Sequence, residues 1–216
     1  MSALIRYVWI DTLRSQRWVA PILCFGAIEA IVCAQSGSVL PTYATIAAAL
    51  LFIATWLSIV TINNEDPIQQ SITVVCAGSE TRVRMAKVTV AFLVAAALGI
   101  VGTIGPPLAS SSGTTVTDAL AGVSAQLLTA LAGVALGALC SRPLITRRAW
   151  SVLVGFAVCL VTVIIPYGPP TRQLLVVFDK IGPVALGTPI LLIGAETLII
   201  AIVAVGASLR IAQRLS

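Results

Sequence analysis

Six runs of apolar residues, each close to the length of a membrane-crossing helix, leave few folds open to this sequence. They lie at 18–35, 42–62, 88–109, 119–140, 150–167 and 189–208. A hydrocarbon layer about 30 Å thick is crossed by about 20 mostly apolar residues in a helix. Water is absent there, so each run has to satisfy its own backbone N–H and C=O groups as a helix. Composition agrees, with 58% hydrophobic residues, 10% charged residues and a mean hydropathy of +1.05. The expectation is an all-α integral membrane protein: one domain over residues 1–216 with six spans.

The net charge of +5 does not point to nucleic acid, because of where the charges fall. With alternating spans, eleven of the 13 basic residues share the side of the N-terminus: Arg6, Arg14, Arg17, Arg82, Arg84, Lys87, Arg142, Arg147, Arg148, Arg210 and Arg214. Only Arg172 and Lys180 fall on the other. Basic residues in short loops mark the cytoplasmic side, so both termini are expected there and the chain in a plasma membrane. The five cysteines form no CxxC pair and there is no histidine. Neither a disulfide framework nor a metal site is expected. Val32-Cys33-Ala34 has the form of a signal-peptidase site, but Glu29 interrupts the preceding apolar run, and cleavage is not expected.

The longest polar interruption is 63–87. Asp66-Pro67 reads as a helix start, with a capping Asp, Pro at the first helical position and Gln69 three residues after the cap. Ile68, Ile72 and Val75 follow at helical spacing, with Gln69, Gln70, Ser71 and Thr73 elsewhere on the turn. Gly78 can end the helix in a left-handed cap, and Ser79 can start the next. Taken alone the stretch admits two readings, a short amphipathic cytoplasmic helix over 66–78 or a solvated loop.

Residues 3–17 mix charge with large apolar groups. At about 100° per residue Arg6, Arg14 and Arg17 share a sector, Ile10 intrudes on it, and Leu4, Val8, Trp9 and Leu13 point mostly away. That pattern suits a helix lying in the interface, with Trp9 and Trp18 at headgroup depth; a simple cytoplasmic tail is the other reading. Small residues recur every fourth position at Ala91, Ala95, Gly99 and Thr103, and at Ala121, Ala125, Thr129, Gly133 and Gly137. Such ladders let helix backbones approach closely, either within the chain or in a second copy. The segment 168–185 holds an apolar stretch between Pro169-Pro170 and Gly182-Pro183, so it is read as an outer re-entrant helix or a capping loop.

Two carboxylates lie inside spans. Glu29 is eleven residues beyond Trp18, about 16 Å into the first span and near mid-membrane, and Glu196 is about 10 Å into the last. A bare carboxylate in lipid is costly, so both are expected to face the bundle interior or a wet cavity. They line a path for cations or protons, or they are protonated groups bonded to neighbours; the residues leave both readings open. A self-sufficient carrier built on this pair, and a lipid-acting enzyme built on Asn64, Glu65 and Asp66, are the competing functions. No GxxxxGK[ST] sequence cradles a nucleotide, and without histidine no His-activated nucleophile is available, so the chain is not expected to be an enzyme.

The layout resembles the permease subunits of ABC type-2 exporters: an interfacial helix before span one, six spans with both ends inside, an amphipathic helix between spans two and three, and a re-entrant outer segment before span six. In that family the helix after span two is the coupling helix that docks on the ATPase. The resemblance carries that role to Asp66, Pro67, Ile68, Gln69, Gln70, Ile72, Val75, Gly78 and Arg82. It implies two copies of a separate ABC ATPase subunit that hold ATP and Mg, no cofactor in this chain, and a homodimer or a second permease in the bacterial plasma membrane. The implied cargo is apolar or amphipathic: a peptide antibiotic, a drug-like natural product or a lipid-linked molecule.

Overall fold

The computed structural model of the protein describes residues 1–35, 39–109, 115–142, 147–165, 173 and 187–215, and among these the regular structure is all helix, without strands. The order is α1 (Ser2–Arg14), α2 (Val19–Gln35), α3 (Val39–Ile62), α4 (Pro67–Ala77), α5 (Glu80–Val101), α6 (Gly105–Ala109), α7 (Val116–Leu139), α8 (Arg148–Ile164) and α9 (Gly187–Leu215). The outer segment expected at 168–185 lies outside the described residues except for Gln173.

Four segments are long and apolar enough to cross a membrane: Val39–Ile62, Glu80–Ala109, Val116–Leu139 and Leu192–Arg210. A fifth arises if α1 and α2, bent by 74°, form one broken span. Six separate spans were expected; two of those runs differ for local reasons. The first is the continuous helix α2, whose 17 residues fall just short of a crossing by themselves; the elbow, where Gln16 adopts φ +53°, precedes it. The fifth is a helix of 17 residues that ends where Ile165 turns extended (ψ 121°). The helix that carries the third run starts at Glu80 with Ser79 at its cap, as the sequence leads one to expect, so Arg84 and Lys87 lie within it.

The core is built around α3, which is buried on nearly all sides by α2, α5, α7 and α8. Its closest neighbour is α7, whose small-residue ladder is buried. A Cβ added at Gly133 would stand 2.7 Å from Ala54 Cβ and 2.8 Å from Leu51 O; one at Gly137 would stand 2.5 Å from Ser58 Cβ and 2.6 Å from Thr55 O. The close approach brings side chains of α3 to the backbone of α7. Thr55 Oγ1 shares its proton between Leu51 O at 2.8 Å and Gly133 O at 3.0 Å, and Ser58 Oγ donates to Val134 O at 3.0 Å. Gly99 of α5 completes the seam, since a Cβ there would meet Leu50 and Gln126 at 3.0 and 3.1 Å. The ladders therefore serve packing within the chain. On the far side of α3, Phe156 of α8 stacks edge-on to Phe52 and Trp56, with centroids 5.8 and 5.9 Å apart. At Gly137 the obstructing atom is a backbone oxygen that cannot step aside. Gly137→Ala is expected to cost about 1–3 kcal/mol as overpacking, read as a lower apparent melting temperature in detergent. Gly26→Ala, inside α2 with open space around the position, is expected to keep or slightly raise that temperature.

Candidate functional site

The ends of α3 and α7 meet the start of α5 in a buried polar cluster. Helix C-termini leave carbonyls without intrahelical donors and carry the negative end of the helix dipole. α5 supplies cations to both from one face, because Arg84 and Lys87 are three residues apart. Arg84 donates to Ala138 O at 2.9 Å, Arg142 O at 2.5 Å, and Ser141 Oγ and Ser208 Oγ at 3.3 Å. Lys87 donates to Ile62 O at 3.4 Å and pairs with Glu65 Oε2 at 2.8 Å, both side chains being buried.

The residues just after α3 are each tied to a different element. Asn63 Oδ1 accepts from Arg142 N at 3.2 Å, Asn64 Nδ2 donates to Asp11 Oδ2 at 2.5 Å, and Glu65 Oε1 accepts from Thr73 Oγ1 at 3.3 Å. α4 hangs from this anchored link. Asp66 occupies its cap position in extended backbone (φ −71°, ψ 154°) without a side-chain cap bond, Pro67 is its first residue, and Gly78 ends it at φ +71°. Gln69 does not reach back to the cap; it donates to Tyr7 of α1 at 3.0 Å. Arg82 is exposed and donates to Ala77 O at 3.5 Å.

α4 turns its apolar stripe away from the bundle. Gln70, Thr73, Val74 and Ala77 are half-buried toward it, whereas Ile68, Ile72 and Val75 are 78%, 61% and 81% exposed. An amphipathic helix ordinarily packs its apolar face inward, whereas α4 presents this stripe outward.

The two carboxylates expected inside spans, Glu29 and Glu196, lie on α2 and α9. α1 packs Val8 against Ala86 and Val90 of α5, and the elbow that follows it sets Trp18 and Ile22 beside Val94–Val101. α2 therefore starts far along α5, and Glu29 ends up beside Gly105, where an added Cβ would lie 2.8 Å from Glu29 Oε1. That is the end of the bundle opposite the Lys87 cluster, level with Tyr43, whose OH donates to Thr103 O at 3.2 Å. Glu196 is exposed on α9, one residue from Thr197, which is buried. Neither carboxylate has a hydrogen bond or ion pair among the described residues.

Sequence reasoning counted Arg84 and Lys87 only as topology charges and missed their partners. The signal was a lysine continuous with an apolar run, which demands a counter-charge, and Glu65 lies at the adjoining end of the preceding span. It also missed Gln126, fully buried on α7 beside Gly99, with neither amide atom bonded among the described residues. No protein-family model matches the chain, and neither a curated protein nor a solved structure is similar to it.

Removing one member of a buried pair strands the other charge. Glu65→Gln is expected to cost about 3–5 kcal/mol, and Glu65→Gln combined with Lys87→Met to recover much of that loss. Thermal unfolding of the single and double variants measures both.

Proposed function

We propose that this chain is the membrane subunit of an ATP-driven exporter of the ABC type-2 kind, and that α4 is the element on which the ATPase acts. The reading rests on one observation: a short helix presents Ile68, Ile72 and Val75 outward while its root is bonded into α3, α5, α1 and the end of α7. A surface meant to receive force has to be sticky on its outer side and stiff at its attachment, and α4 has both properties.

On this reading α1–α2 and α8 complete six crossings, and both termini, with the basic cluster end, face the cytoplasm of a bacterial cell. Two ATPase copies hold the ATP and Mg, and two membrane subunits, identical or different, enclose the path. Closure of the ATPases pushes α4, and the anchored link passes the push to α3 and α5. The cargo is apolar or amphipathic, because the described spans carry few polar groups with which to recognise anything else.

The tagged chain purified from its native membranes is expected to retain an ATP-hydrolysing partner. Ile68→Glu/Ile72→Glu is expected to lose that partner about tenfold or more, the range for truncating or charging an interface anchor. Its melting temperature should stay at the wild-type value, since both side chains are already exposed. Full retention of the ATPase by this variant, or unaided transport by the purified chain, overturns the proposal.

A further inference from the structure

We propose that the elbow between α1 and α2 binds one acyl chain of an anionic phospholipid, with Arg14 and Arg17 meeting its phosphate. The elbow and the facing side of α5 enclose a half-open groove of about 250 Å³, walled by Trp9, Leu13, Trp18, Leu57, Val94 and Ala97. Along α5 the walls run from Val90 to Val101, a separation of eleven residues or about 16 Å, the scale of a fatty acyl chain.

The groove has little to offer a polar guest. Thr12 and Thr61 carry its only side-chain hydroxyls, and that of Thr12 is spent on Val8 O at 2.8 Å. The Trp18 indole N–H is spent on Leu13 O at 3.1 Å, a bond that also holds the elbow in shape. A resident water needs two to four polar partners, which the walls lack, so hydrocarbon is the matching occupant.

Charge at the rim selects the headgroup. Arg14 ends α1 and Arg17 follows it around the same turn as Leu13 and Trp18; both are exposed, and neither has an ion pair among the described residues. The one acidic side chain of α1, Asp11, is taken by Asn64. Two exposed arginines, each one residue from a wall of the groove (Leu13 and Trp18), complement a lipid phosphate that carries a net negative charge, whereas a zwitterionic headgroup gains less. This site is independent of what drives α4.

The test uses the full chain in detergent, titrated with phosphatidylglycerol or phosphatidylcholine of identical acyl chains and read by native mass spectrometry. The wild type is expected to bind one phosphatidylglycerol preferentially. Each arginine contributes about fivefold, the effect of one basic residue near an anionic surface. Arg14→Gln/Arg17→Gln brings the two lipids to near-equal binding, Arg6→Gln retains the preference, and Ala97→Phe, which fills the groove, removes the tight site for both. All four side chains are exposed, so the fold tolerates the changes. An unchanged preference in Arg14→Gln/Arg17→Gln, an equal loss in Arg6→Gln, or undiminished binding in Ala97→Phe overturns the proposal.

Discussion

The two cations at the start of α5 hold the end of this bundle together. Without them Ile62 O and Arg142 O would lose the cationic donors that they have here, Ala138 O would keep only Ser141 Oγ, and Glu65 would be a buried charge with no counter-charge. Lys87 and Arg84 answer both needs, one helix end each. A buried ion pair adds little stability against a well-packed apolar alternative, but losing one partner is costly. The cluster therefore fixes register more than it adds stability. α5 cannot slide by a turn against α3 or α7 without stranding a charge.

That fixed register gives α4 its position. The link between α3 and α4 has no slack, because Asn63, Asn64 and Glu65 are each bonded to a different neighbour. α4 consequently moves with the bundle end and not as a loop on a tether. Its orientation follows too: with Thr73 held by Glu65 and Gln69 by Tyr7, the Ile68, Ile72, Val75 stripe is left facing outward.

Local chemistry was legible in the sequence and long-range pairing was not. Asp66-Pro67 and Gly78 mark helix ends by backbone preferences that need no partner, and α4 runs between them. The ladders through Gly99, Gly133 and Gly137 announced close-packing faces. Their partner α3 went unread because its matching small residues, Ala54 and Ser58, sit among bulky Leu, Ile and Trp. Lys87 and Glu65 are 22 positions apart, and a basic residue beside a span carries the same topological signal whether it faces water or a carboxylate. Where Glu29 falls along the bundle depends on where α2 begins against α5, which local sequence does not encode.

The seams of the bundle also decide what can move. α3 meets α7 backbone to backbone, with hydroxyls of Thr55 and Ser58 bonded across the joint, and packed surfaces of that kind do not slide by small amounts. α5 is pinned to both through its cations. α3, α5 and α7 therefore form one stiff unit, and α4 is fastened to it. The outer helices are held differently. α8 rests on α3 through the Phe156 ring between Phe52 and Trp56, and α2 through Phe25 against Ile46, with side chains that can change rotamer while the backbones shift. Under the exporter reading, a push on α4 moves that three-helix unit as a body, and access to a path opens where it meets its looser neighbours.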